Sequence, residues 1–187
     1  IRLAGNNSFV GGVEMTAATW EVASDTAFGN GGLIKTVQTS GTPTILAVGA
    51  PRTISNPTVS LAFSATYWTI AGSQDLTFTG SINLSGSFTH VINNASLTTY
   101  AGVVHTGGFT KAGPGTLVLS GNNIFSGTGT INAGTLRAAY ANALGTPQSP
   151  TLVADGAALE INGALTAEPV TIRGMGVAAQ GALYSIG

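Results

Sequence analysis

Cysteine is absent from the 187 residues, which rules out disulfides, thiolate chemistry and any cysteine-held metal. Charge is nearly as scarce. Asp, Glu, Lys and Arg make up 7% of the chain, against about a quarter in an ordinary globular protein. The six basic residues, Arg2, Lys35, Arg52, Lys111, Arg137 and Arg173, stand singly. Nucleic acid is therefore not an expected partner, because phosphate neutralisation needs clustered Lys and Arg. Polybasic attachment to an anionic membrane is disfavoured for the same reason. No apolar run approaches the roughly 18 residues of a membrane-spanning helix. The chain opens at Ile1 without a charged-then-apolar leader, so it is expected to be a segment of a longer protein.

The signatures of catalysis are missing too. There is no Gly-x-Ser-x-Gly elbow and no phosphate loop ending in Gly-Lys-Ser/Thr. His90 and His105 are the two histidines, and neither has a metal-ligand companion two to four residues away. The acids Glu14, Glu21, Asp25, Asp75, Asp155, Glu160 and Glu168 are dispersed, whereas polysaccharide cleavage needs acids grouped on one face. No cofactor, metal or catalytic residue is expected, and the chain is not expected to be an enzyme.

What remains is rich in β-formers and turn residues. Apolar residues make up 43%, with 27 glycines and much Ser, Thr and Asn. Such a mixture encodes short strands joined by tight turns. The most informative feature is an internal repeat. Residues 1–29 align with 117–145 without a gap, at an offset of 116. Leu3, Gly5, Asn6, Asn7, Phe9 and Gly11 match Leu119, Gly121, Asn122, Asn123, Phe125 and Gly127. Ala17, Thr19, Ala23, Ala27 and Gly29 match Ala133, Thr135, Ala139, Ala143 and Gly145.

Each copy reads as an alternating strand, a Gly-Asn-Asn turn, a return of Phe to the interior, and a second strand with a Gly bend. In the second copy that strand runs over 130–136. Between the copies, 76–84 alternates apolar and polar residues. No convincing helix is present; the best stretch, 136–144, reads as a strand end plus loop. A stacked solenoid is the expected architecture, with an antiparallel β-sandwich as the alternative.

Residues 107–123, Gly-Gly-Phe-Thr-Lys-Ala-Gly-Pro-Gly-Thr-Leu-Val-Leu-Ser-Gly-Asn-Asn, followed by Asn-Ala-Gly-Thr-Leu at 132–136, resemble the autotransporter-associated β-strand repeat, also called the passenger-associated transport repeat. The motif residues are Lys111, Gly113, Gly115, Thr116, Leu117, Leu119, Gly121, Asn123, Gly127, Gly134 and Leu136. Phe109, Pro114 and Phe125 are mild departures, and the first copy lacks the Lys-x-Gly-x-Gly lead-in. The resemblance implies an all-β, right-handed parallel β-helix. It further implies a single segment, 1–187, of a secreted passenger at the bacterial surface, with a degenerate repeat at 1–29 and a fuller one at 107–145. Its partners would be the rest of the passenger and an outer-membrane barrel.

Coils of about 20–25 residues are expected, within the range of solenoid repeats. Leu3, Trp20, Leu119 and Leu136 should point inward, with Asn7 and Asn123 at corners. The functional expectation is a structural segment that aids export, folding and display. The alternative is an adhesin-like module binding glycan or host surface, through loops such as 30–50 or by stacking on Tyr67 or Trp68. A polysaccharide-cleaving β-helix is weaker and would require Asp25, Asp75 and Asp155 to cluster. Open coil ends make end-to-end self-association an expected liability.

Overall fold

The computed structural model describes residues 1–36, 42–61, 67–84, 86–148, 150–166 and 168–187. Every strand pairing in it is parallel, and the strands form three faces of one solenoid, a right-handed parallel β-helix of about eight coils. A sandwich, whose sheets are antiparallel, is thereby excluded.

Among the described residues face A has nine strands, from Arg2–Leu3 to Val170–Ile172; face B has five, from Val13–Met15 to Val104–His105; face C has seven, from Arg52–Ile54 to Leu183–Ser185. Where all three are present the chain runs from A to C to B and back to A. A coil is as short as the step from Leu152 to Thr171 and as long as that from Leu33 to Val59. At about 4.8 Å per coil the rod is roughly 40 Å long.

Alternation along each strand decides which side chains enter the rod. Thr58–Leu61, Ser81–Leu84 and Phe88–Ile92 each bury every second residue. Parallel register then stacks like upon like. On face C, Leu117, Leu136 and Leu159 form one inward ladder, each almost fully buried. On face A, Trp20, Ile45, Ile70 and Ile92 form another. Leu119, Leu136 and Trp20 point inward, and Leu3 packs partly buried against the core. Each coil closes its apolar side only against its neighbours, as the units of a solenoid do.

Two stretches that read as single strands are each two strands around a corner. Residues 76–84 divide into Leu76–Phe78 on face C and Ser81–Leu84 on face B. Gly80 makes the bend, where any Cβ would collide with the Asn56 carbonyl of the preceding coil. Residues 130–136 likewise divide between Gly129–Ile131 on face A and Gly134–Ala138 on face C. Alternation runs unbroken through the first corner, so the sequence pattern alone cannot separate those two strands; at the second the inward phase shifts by one residue between Ile131 and Gly134. The stretch 136–144 continues the strand Gly134–Ala138 into a turn.

Candidate functional site

Lys111 lies near the end of the strand Phe109–Ala112 on face A, and its side chain points into the rod. Register places it on an inward ladder between His90 and Ile131. Its ammonium has three donors and meets three carbonyls: Ala112 at 3.3 Å, Gly113 at 2.6 Å and Ala133 at 2.8 Å. Ala112 ends the face A strand and Gly113 opens the A-to-C corner of the same coil, and Ala133 lies in that corner of the next. One side chain thus staples two successive corners. No carboxylate is among these partners, and burial pushes the lysine pKa down from 10.5 to about 7.

The motif glycines stand where this corner stacks backbone on backbone. Gly134 has φ +64°, and a Cβ there would lie 2.5 Å from the Gly113 carbonyl, 2.6 Å from that of Gly115 and 2.7 Å from the Lys111 Nζ. Gly113, Gly115, Gly121 and Gly127 press in the same way on carbonyl or amide groups of the preceding coil. Thr116, Leu117 and Leu119 belong to the strand Thr116–Leu119 on face C, with both leucines fully buried.

Asn123, 1% exposed, clips the next corner. Its Oδ1 accepts the Val104 N–H of the coil before at 2.8 Å, and its Nδ2 donates to the Ala143 carbonyl of the coil after at 2.7 Å. The first copy repeats the second half of this clip: Asn7 Nδ2 donates to the Ala27 carbonyl at 2.8 Å. The surrounding backbone repeats as well. Asn30 N–H donates to Phe9 O as Thr146 N–H donates to Phe125 O, and Ala27 N–H to Ser24 O as Ala143 N–H to Tyr140 O. Phe125 is buried against Phe109, their rings stacked at 5.5 Å, whereas Phe9 in the end coil is 44% exposed.

Replacing Asn123 by Ala strands one buried N–H and one buried carbonyl and is expected to cost about 2–3 kcal/mol. Asn7→Ala, which strands the carbonyl alone, is expected to cost about 1 kcal/mol. Urea denaturation of the two variants measures the difference, and equal losses would refute the clip.

The two copies do not stand above one another. Arg2–Leu3 and Thr19–Val22 lie on face A, while Thr116–Leu119 and Gly134–Ala138 lie on face C. Five coils lead from Arg2–Leu3 to Phe109–Ala112 on face A, and Thr116–Leu119 is one face further on. The offset between the copies is therefore five coils plus one face.

Aromatic residues fill the middle of the rod. Trp68 is 1% exposed; its Nε1–H donates to His90 Nδ1 at 3.0 Å, which leaves the imidazole proton on Nε2. The Tyr100 hydroxyl sits 2.9 Å from the same nitrogen. Burial pushes the His90 pKa down to about 3 and the Tyr100 pKa up. His90 stays neutral at ordinary pH, which withholds it from acid–base work. Trp68 offers no face to a ligand, a correction to its candidacy as a stacking platform, whereas Tyr67 is 41% exposed on the outside. His105 is on face B, away from the strand of His90 on face A.

The acids stay apart. Asp25, Asp75 and Asp155 all follow face A strands, but those strands are the second, fourth and eighth of the sheet. They are two and four coils apart, on the order of 10 and 20 Å. Asp25 accepts the Thr53 N–H at 3.1 Å, and Asp75 accepts the Leu97 N–H at 3.0 Å and the Ser96 hydroxyl. Glu160 pairs with Arg137 at 2.5 Å on face C. No group of three His, Asp or Glu among the described residues could hold a metal. Of the loop 30–50, residues 37–41 lie outside the described residues, as do Ser64, Ala65 and Thr66 before Tyr67.

The buried Lys111–carbonyl staple and the Trp68–His90–Tyr100 cluster were not found by sequence reasoning. A signal existed: the steps from Trp68 to His90 and from His90 to Lys111 are nearly equal, one coil each.

Stacked coils and stapled corners define a parallel β-helix. The passenger-associated transport repeat family matches residues 109–138, the stretch that holds Lys111 and Gly134. The chain is also 34% identical over 172 residues to the adhesin BmaC autotransporter of Brucella suis biovar 1 (strain 1330). That alignment takes in 88% of this chain and 5% of the relative, so the chain spans a small part of that protein's length. No solved structure matches. The chain is an autotransporter passenger repeat segment, a β-helical piece of a secreted protein that stands outside the cell or on its surface.

Proposed function

We propose that the chain is a load-carrying segment of its passenger, one that helps draw the polypeptide out of the cell and then holds other parts away from the surface. The observation that carries this reading is that corner contacts tie each coil to its immediate neighbours. The motif glycines press on the coil that precedes them, Asn123 bonds the coils on both sides, and Lys111 ties its own corner to that of the coil that follows. A chain emerging end first can add coils one at a time, each on a finished template, and every added coil hinders back-sliding. In this reading the chain is one segment, 1–187, with a degenerate repeat at 1–29 and a fuller one at 107–145. Its partners are neighbouring passenger coils and an outer-membrane barrel.

Secretion of the parent passenger tests this. With Gly134→Ala, which nearly keeps composition and keeps charge but breaks a corner, surface appearance in pulse–chase is expected to slow severalfold. Unchanged kinetics from a segment shown to be unfolded would overturn the export role.

A second reading, adhesion, is favoured by the adhesin relative. Exposed Ile1, Phe9 and Val10 at one end, and Ile172, Met175, Leu183 and Ile186 at the other, support end-to-end association of isolated segments. A catalytic role has no such support: Asp25, Asp75 and Asp155, the acids it would bring together, lie two and four coils apart.

A further inference from the structure

The outer side of face A carries few charges and many hydroxyls. Register lines up Tyr67, Thr89, Thr110, Thr130, Leu152 and Thr171 along the rod, one per coil. Over its last three coils this surface deepens into a groove of about 310 Å³. Thr130 and Asn132 come from the first coil, Leu152 and Asp155 from the second, Thr171 and Arg173 from the third.

Several features set this groove apart. Asp155 and Arg173 both line it, yet among the described residues neither is in an ion pair. The Asp155 carboxylate lies against bare Gly174, where any Cβ would strike it, so the carboxylate has room because position 174 carries no side chain. Leu152 is 39% exposed and forms an apolar floor between these polar groups.

We propose that this groove is a saccharide site, taking a linear neutral oligosaccharide laid along the rod. The site deepens the adhesive reading and rests on it. A carboxylate, a carboxamide and a guanidinium are planar groups that pair with adjacent hydroxyls two at a time. Leu152 suits the C–H face of a pyranose ring. The coil spacing of about 4.8 Å is close to the length of one sugar in an extended chain, so each successive sugar meets the same column of side chains one coil further on. Other ligands fit less well. A polyanion would meet Asp155 with one arginine to oppose it. A peptide adding as a strand would pair along the free edge of Val170–Ile172 at the end of the rod, and would not lie across the three coils that line the groove.

The test uses the isotope-labelled chain with cellohexaose, N-acetylchitohexaose, xylohexaose and maltohexaose, each brought to millimolar concentration. Amide shifts confined to the groove residues are expected with at least one probe. Asp155→Ala and Arg173→Ala are each expected to weaken that binding about tenfold. Both side chains are exposed, so thermal melting is expected to be unchanged. Thr171→Arg, which fills the groove, checks the position by sterics alone. No shift with any probe, or shifts centred on Tyr67 or on the Asn6–Ser24 corner, would overturn the site. The same two alanine variants are expected to be secreted normally, so loss of the saccharide site and failure of the export role give separate readouts.

Discussion

Lys111→Met is expected to destabilise the chain by about 2 kcal/mol at pH 7, and by more at pH 10, as the balance of two opposed effects. Methionine fills nearly the same space but leaves the carbonyls of Ala112, Gly113 and Ala133 without their donor, and each stranded buried carbonyl costs about 1–3 kcal/mol. Against that, the variant no longer buries a charge, which offsets part of the loss.

The pH dependence separates the two effects. Below pH 7 the lysine is protonated in both folded and unfolded chains, and its contribution is flat. Between about 7 and the ordinary value of 10.5, the unfolded chain holds a proton that the native chain has released. Native stability therefore rises with pH across that window and is lost again as pH falls toward 7. The methionine variant lacks this slope, so the gap widens with pH. Urea midpoints at pH 6, 7, 8.5 and 10 measure it. Parallel curves for the two proteins would mean that Lys111 is not buried as described.

Gly134→Ala is expected to cost at least about 4 kcal/mol, which places it among the exceptional single substitutions. A positive φ alone accounts for about 1–2 kcal/mol in a residue with a Cβ. The rest comes from crowding, because the new methyl would lie 2.5–2.7 Å from two carbonyls and the Lys111 Nζ and would force the stacked corners apart. Gly156→Ala is the control. Gly156 has a similar φ of +76° with nothing within 4 Å of its Cβ position, so about 1 kcal/mol is expected there. Comparable losses at both positions would assign the effect to backbone conformation and not to the approach of successive coils.

Much of the fold could be read from the amino acids, since the same rules act on residues close in sequence. Alternation assigned Leu119 and Leu136 to the interior, and Gly-Asn-Asn marked a corner at both 5–7 and 121–123. The missing part was coil-to-coil register. Parallel pairing joins residues a full coil apart in the chain, and nothing local in Leu76–Phe78 or Ser81–Leu84 says which strand each will meet. That is why 76–84 read as one strand. It is also why the lone charge of Lys111 read as a motif letter and not as a buried ammonium. In Tyr67-Trp68, alternation required one residue in and one out; only the neighbours His90 and Tyr100 decide that the tryptophan goes in. The candidate groove was less legible still, because Asn132, Asp155 and Arg173 belong to three coils and converge through register alone.

The extra face in the spacing of the two repeats turns the rod into an indexed shaft. Copies a whole number of coils apart would project their Gly-Asn-Asn corners in a single file, like the teeth of a comb. Here the coils between them advance the second set by about a third of a revolution while carrying it roughly 25 Å along the axis. A flat object resting against one set of corners therefore cannot rest against the other. Inserting or deleting one strand-and-corner unit between residues 52 and 105 would re-aim one end of the shaft relative to the other without altering either repeat.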